Sequence, residues 1–422
     1  MFAAAVLAWP GRPPLAKMRL VSSTGLRNVD DHAKAVAALL GQTEVEHRRL
    51  AECAGLALAA DLTAPVSLPP FDNSAMDGYA VRSVDLVGAG PDQAVELDVS
   101  EDIPAGRTDS PALQPGTAHR IMTGAPVPPG ADAVLPVERT DGGLTRVRLF
   151  EAVAPGANVR RVGEDVRVGD VVLAQGQTLG PAQLGAAAAV GCARLAVHRP
   201  PAVLVMSTGS ELVEPGTALR HGQIYESNGP MLAAAVRAAG CVADLGHFVA
   251  DDVDAFVRSL RPRLAAVDLV LTSGGVSAGA YEVVKDALAG RGVEFVGVAM
   301  QPGKPQGAGR FDGTPVVALP GNPVSALVSF EIFVRPALLA AAGHAVTSRP
   351  RLTAELDVPL TSPAGRRQYR RGVFAGGTVS PVGGPGSHLL VALAAANCLI
   401  EVPEDTTDLS AGAGVTVLLL SG

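Results

Sequence analysis

The groups best suited to chemistry in this sequence are carboxylates beside glycine-rich loops. TGSE (208–211) carries Thr208, Gly209 and Glu211, and the pair Asp251–Asp252 follows an apolar run. SGGVSAG (273–279) offers Ser273, Gly274, Gly275, Val276 and Ser277, with Glu282 a little beyond it. QPGKP (301–305) holds Pro302 and Gly303 and fixes Lys304 between glycine and proline; PGNP is Pro320, Gly321, Asn322 and Pro323. Glycine lets backbone amides approach a ligand closely, and loops that open helices present free N–H groups to an anion. Carboxylates edging such a site call for a bridging hard cation, Mg2+ or another divalent ion. Its candidate ligands are Glu211, Asp251 or Asp252, and Glu282. The two aspartates also suit helix capping, and Glu282 also suits a solvent-facing helix position. Lys304 is one of only four lysines (Lys17, Lys34, Lys285, Lys304) among 34 basic residues. In a chain that otherwise uses arginine, a compact ammonium there suits an oxyanion, with a solvated loop lysine the alternative.

Each of these loops follows a short apolar run. Strands are predicted over 202–208, 242–249, 268–273, 293–300 and 314–320. Helices are predicted over 228–240, 251–267, 280–290 and 322–343. Asn228 and Asn322 read as N-caps, Gly240 stands just past a helix end, Pro323 sits in a first turn, and Pro262 divides its segment. Alternating strands and helices imply a doubly wound, mostly parallel sheet, with ligand beyond the carboxyl ends of its strands. The loops therefore converge on one sheet edge. SGGVSAG lacks the GK[ST] ending of a phosphate loop, and GAGRFDG (307–313) is not GxGxxG.

The flanks have another texture. Residues 30–40 and 44–60 read as helices, 67–164 as β-rich, and 181–190 as helix again, so the β-rich stretch looks inserted. From 344 onward, alternation with Gly and Pro breaks predicts a small β-barrel or sandwich. Within it GRRQYRRG (365–372), as a strand, places Arg366, Gln368 and Arg370 on one face and Arg367, Tyr369 and Arg371 on the other. It reads as a solvated edge, with anion contact the alternative. FDNSAMDGYA (71–80) contains the hairpin signal Asp77–Gly78, and its local chemistry fits a turn or a site equally; placed in the inserted β-rich stretch it reads as both, a turn packed by Phe71, Met76 and Tyr79 that presents Asp77.

At 422 residues the chain is expected to hold about three units. A net charge of −7 argues against nucleic acid as a partner. Cys53, Cys192, Cys241 and Cys398 form no CxxC pair and read as reduced thiols of a cytoplasmic protein. The start MFAAAVLAWPGRPP has no cationic region before its apolar run, so no signal peptide is expected. A disordered extension or a start codon placed too early fits residues 1–27. No run of about 18 apolar residues occurs, so no membrane span is expected.

PPFDNSAMDGYAVR (69–82), RIMTGAPVPPGADAV (120–134), RRVGEDV (160–166), STGSEL (207–212), TSGGVSAG (272–279), PGKP (302–305), LPGNPVSALVSF (319–330) and GSHLLVALAAANCLI (386–400) together resemble the MoeA family. That family comprises molybdopterin molybdenumtransferases and the gephyrin E domain. The motifs run in family order over nearly everything after residue 28. The resemblance implies an α/β multidomain subunit. Its parts would be a linking domain with N-terminal helices (28–66 and 165–197), an inserted β-rich domain (67–164), a molybdopterin-binding α/β domain (198–343) and a C-terminal β-barrel (344–422). It implies a homodimer whose pocket is shared between subunits, with molybdate and adenylylated molybdopterin as substrates, a divalent cation, and release of AMP. A molybdopterin adenylyltransferase and molybdoenzymes become conceivable partners. By motif, the functional positions are Asp77, Thr123, Asp165, Glu211, Asp251, Lys304, Pro320, Pro323, Arg371 and Ser387. Thr123, Asp165 and Ser387 rest on the resemblance alone. The chain departs from common family residues at Ser210, Ala280, Glu282, Gly297 and Gln301, which bears on metal geometry and on molybdate against tungstate. A binding scaffold without catalysis is the second reading; a nucleotide hydrolase ranks lower for want of a phosphate loop.

Overall fold

The computed structural model of the protein describes residues 25–248, 252–276 and 283–420. The chain divides into two compact units. One holds residues up to Gly41, Pro201–Ala341 and those from Thr347 on; the other holds Gln42–Pro200 and Ala342–Val346.

In the first unit, strands Val242–Phe248, Ala202–Thr208, Leu269–Ser273 and Thr314–Leu319 lie side by side in that order, all parallel. Pro305–Phe311 and Val293–Gly297 extend this sheet as an antiparallel edge. The continuous apolar runs follow from burial on both faces. Val203, Val205, Leu269, Leu271 and Val317 pack toward the helices Asn228–Ala238 and Pro323–Ala341. Leu204, Met206, Val270 and Val316 pack toward Val253–Leu260 and Val283–Leu288. Pro323–Ala341 is long and apolar enough to cross a membrane by composition, yet 72% of it is buried inside the fold. Its middle turn, Phe330–Val334, is a π-helix. There Glu331, 7% exposed, accepts from Arg349 Nε at 2.8 Å and Nη2 at 3.1 Å and lies 3.8 Å from Arg335 Nε.

Strands Arg367–Ala375, Thr378–Pro381, Arg351–Leu356, Gly414–Leu419 and Cys398–Val402 close into a five-stranded barrel. Met300–Gln301 leaves the sheet edge to pair with Arg367–Gln368. The expectation of a solvated edge at 365–372 is therefore corrected. The strand has partners on both sides, and Gln368, Tyr369 and Arg371 are 2%, 2% and 3% exposed.

The second unit contains a five-stranded sheet in the order Ala133–Pro136, Gly78–Val81, Thr117–Ile121, Val95–Ile103 and Arg146–Leu149. It also contains the helix Pro181–Ala189. The helix predicted over 44–60 does not form. Val45–Arg49 is a strand paired antiparallel with Arg194–His198, followed by a 3-10 turn. A distant strand here overrides helix propensity, which is a weak prior.

The other N-terminal helix, Val29–Ala37, belongs to the first unit, not to the linking segment. His32 is fully buried on it, edge-on to Phe333 at 4.8 Å, with neither ring nitrogen partnered among the described residues. Burial pushes its pKa down to about 4, aided by Arg27 and opposed by Glu294. The folded state then refuses a proton that the unfolded chain accepts below its ordinary value of 6.5. Full stability holds above that pH and falls progressively as pH drops toward 4, by an amount on the order of 3 kcal/mol. Denaturant titrations at pH 7.5 and 4.5 test this. His32→Leu should lose less stability between the two than the wild type, and equal losses would remove His32 from the acid response.

Candidate functional site

The chain runs from Ala202–Thr208 outward to Val242–Phe248, then back across to Leu269–Ser273 on the other side. The sheet reverses its winding between 202–208 and 269–273, where ligands bind in such folds. A cavity of about 1190 Å³ opens at the carboxyl ends of these strands. All the described candidates of the loops 208–211, 273–276, 302–303 and 320–323 line it, together with Ser387.

The loops are fastened to one another. Asn228, expected as a helix cap, is instead the first helical residue behind Ser227. Its amide donates to Ser273 Oγ at 2.9 Å and to the Gly321 carbonyl at 2.6 Å, so one side chain ties three loops. Ser273 Oγ reaches the Pro320 carbonyl at 3.3 Å. Gly274 has φ +93°, and a Cβ there would meet the Thr208 carbonyl at 2.7 Å, so only glycine lets these strand ends close up. At Gly209 a Cβ would meet the Glu211 carboxylate at 2.6 Å. The missing side chain is what allows Glu211 to fold back over its own loop.

Asn322 occupies the N-cap position of the helix beginning at Pro323 without a side-chain cap bond; Pro323 has no N–H and the Val324 amide is given to the Ser387 carbonyl, which leaves Ser325 as the first-turn amide at the cavity. Ser207 Oγ, Thr208 Oγ1 and Asn228 Oδ1 are buried and lack partners among the described residues. These polar atoms on the cavity lining suit a ligand rich in donors and acceptors.

Some groups were missed from the sequence. Glu226 lines the cavity, is 7% exposed, and accepts from the Gly229 amide at 2.7 Å. A carboxylate two residues ahead of a helix was its only local signal. Gln301 and His388 also line the wall.

Other expectations end differently. Lys304 is exposed and does not line the cavity; its stem lies beside Gly297, whose added Cβ would be 3.5 Å from Lys304 Cε. Arg371 spends its guanidinium on backbone carbonyls, Gly386 at 3.0 Å, Val382 at 3.4 Å and Gly384. It therefore holds the loop that delivers Ser387, whose carbonyl receives the Val324 amide at 3.1 Å, and does not itself line the cavity. Asp252 is a cap, accepting from the Ala255 amide at 2.8 Å. Asp251, Ser277 and Glu282 lie outside the described residues, as does Ala280. Among the described residues no three His, Cys, Asp or Glu side chains gather as a metal cluster. The cavity's charged donors, Glu211 and Glu226, are oxygen ligands of the kind a hard cation takes.

Asp77, Thr123 and Asp165 belong to the second unit. Asp77 Oδ1 accepts from the Thr123 amide at 2.7 Å and from its hydroxyl at 2.8 Å. These donors hold the exposed Asp77 carboxyl below its ordinary pKa. The packing expected around it is corrected. Tyr79 is fully buried with its hydroxyl on the Gly143 carbonyl, but Phe71 and Met76 are 46% and 39% exposed. The turn is held by Ser74, Asp72 and their bonds to Met76, Val162 and Arg161, which leaves the two apolar side chains outside. Asp165 is exposed, with its amide on the Leu68 carbonyl.

Comparison with known proteins matches residues 27–191 to the MoeA N-terminal region (domain I and II). Residues 204–340 match a probable molybdopterin binding domain, and 353–420 the MoeA C-terminal region (domain IV). Molybdopterin molybdenumtransferase 2 of Mycobacterium tuberculosis H37Rv is 54% identical over 401 residues, covering 93% of this chain and 99% of that protein. Molybdopterin molybdenumtransferase of Haemophilus influenzae is 38% identical, covering 91% and 96%. A solved structure of the molybdopterin biosynthesis protein MoeA from Pyrococcus horikoshii superposes with a TM-score of 0.82 at 30% identity, covering 93% of this chain and all of that one.

Proposed function

Because the chain belongs to the MoeA family, whose named relatives are molybdopterin molybdenumtransferases, we propose that it inserts molybdenum from molybdate into adenylylated molybdopterin and releases AMP, with a divalent cation bound. It is an enzyme of molybdenum cofactor biosynthesis. The observation that carries the finer reading is the convergence of four polar loops and Ser387 on one cavity at the switch point of the sheet.

The loop at Gly275 and the Ser325 amide in the first turn of the helix Pro323–Ala341 hold the adenylate phosphate. Glu211 would hold the cation, with Asp251 and Glu282 as further ligands. When bound, the cation supplies positive charge to the phosphate oxygens as the P–O bond breaks. Asn228 and Arg371 position the loops that carry the contacting groups. Ser387 sits at the wall where the metal oxyanion enters. Asp77, set by Thr123, acts on the cavity of a second subunit in a homodimer, with Asp165 on the same lobe. Four free thiols suit a reducing cytoplasm.

AMP release from adenylylated molybdopterin, followed chromatographically, is the test. Release is expected only with molybdate and Mg2+ together, and Glu211→Gln should slow it on the order of a hundredfold. Release that ignores molybdate would overturn the reaction. Tight binding without AMP under any metal would leave a scaffold in its place.

A further inference from the structure

We propose that a second cavity, in the C-terminal barrel, binds a tetrahedral oxyanion, either free or as the terminal group of a small organic phosphate. The cavity measures about 680 Å³ and is walled by the segments 358–363 and 381–385. Its polar floor is Gln368, Arg370 and Gln301.

Three side-chain atoms on this lining are buried without a hydrogen-bond partner among the described residues: Ser362 Oγ, Gln368 Oε1 and Arg370 Nε. Ser362 and Gln368 are 9% and 2% exposed. Buried polar groups are nearly always satisfied, so three orphans around one cavity ask for a ligand. Arg370 spends one donor on the Gly383 carbonyl at 3.3 Å and has no acidic partner among the described residues. The contrast lies on its own strand, where Arg367 is met by Asp30, Glu401 and Glu404. Burial pushes the Arg370 guanidinium below its ordinary pKa, and its charge adds to the burial that lowers Arg371 beside it.

The chemistry of the occupant follows. Arg370 needs an anionic oxygen, Ser362 accepts either role, and Gln368 Oε1 needs a donor because its own amide is given to Gln301 Oε1 at 2.9 Å. An oxyanion accepts from Arg370 and Ser362, and a hydroxyl of an organic phosphate, or a water carried in with a bare oxyanion, donates to Gln368 Oε1. The apolar walls Val358, Leu360 and Pro381 lower the local dielectric and strengthen the pairing with Arg370. The volume exceeds what a bare oxyanion fills, which leaves room for an organic remainder. Gln301 and Pro385 line both this cavity and the larger one, so an anion held here stands next to the main site. The use of the site in molybdenum insertion rests on the proposed reaction; its existence does not.

Calorimetric titration of the full chain with sodium molybdate, and separately with AMP, decides the matter. Arg370→Gln and Ser362→Ala should each weaken at least one probe by roughly tenfold or more with melting temperatures close to wild type. Loss confined to molybdate identifies a free oxyanion; loss confined to AMP identifies the phosphate of an organic ligand. Wild-type affinity for both probes in both variants, or no binding of either probe by the wild type, would overturn the site. Should Arg370→Gln fail to fold, Ser362→Ala decides alone, since Ser362 lines only the barrel cavity. Variant-sensitive binding without AMP release in the turnover assay would sink the reaction and keep the site.

Discussion

Asp77→Asn is expected to lower molybdenum insertion on the order of a hundredfold while leaving the melting temperature unchanged. The amide preserves the shape. Its Oδ1 still accepts from the Thr123 amide and hydroxyl, so the turn keeps the two bonds that set it. What disappears is the charge. Asp77 is exposed, and its pairing with Thr123 is therefore not a stability device. Two donors on one oxygen orient the other outward and keep the group ionised in acid, because the Thr123 donors lower its pKa. Thr123→Val removes the hydroxyl and should move the Asp77 titration, read by NMR, back up toward the ordinary 3.8. A fully active Asp77→Asn enzyme would return FDNSAMDGYA to being a turn and nothing more.

Glu331→Ala should cost about 3–5 kcal/mol of folding stability. Its carboxylate is the counter-charge for Arg349 and Arg335, and the three side chains are 5%, 14% and 15% exposed. Burial already pushes Arg335 below its ordinary pKa, and Arg349 pushes the same way. Removing Glu331 from the π-turn leaves two largely buried cations, Arg335 just after the turn and Arg349 from a later segment, without their counter-charge. Glu331→Leu combined with Arg349→Leu should recover part of the loss, since it removes a charge as well as adding apolar volume. Urea unfolding measures both; a loss under about 1 kcal/mol for Glu331→Ala would show that water reaches the cluster.

How much of this was legible depends on what each residue answers to. The loops after the parallel strands could be read because strand, turn and helix follow one another locally, and the fold's chirality then brings them to one edge. Glu211, Ser273 and Gly274 were found that way. Asn228 was found for the wrong reason. Its position beside a helix start suggests a cap, but its partners, Ser273 and Gly321, lie 45 and 93 residues on and leave no local trace. Val45–Arg49 misread as helix for the same cause, its partner strand being Arg194–His198. Phe71 and Met76 were assigned to packing because apolar side chains are usually buried. The bonds that free them run through Asp72 to Arg161 and Val162, again far along the chain. Thr123 had no signal beyond family resemblance until its two bonds to Asp77 were seen.

The helix Val29–Ala37 has a consequence for how the protein is made. It is synthesised early, yet the ring that His32 packs against belongs to Phe333. About 300 residues separate them, a wait of roughly 15–60 s at ribosomal rates of about 5–20 residues per second. During that interval the second unit can form from 42–200 on the nascent chain, all but its closing segment Ala342–Val346. The first unit cannot, because its opening helix must stay unclaimed until the helix beginning at Pro323 emerges. The two units are therefore born in the reverse of the order in which their first residues appear, and the early helix is the segment a chaperone has reason to guard.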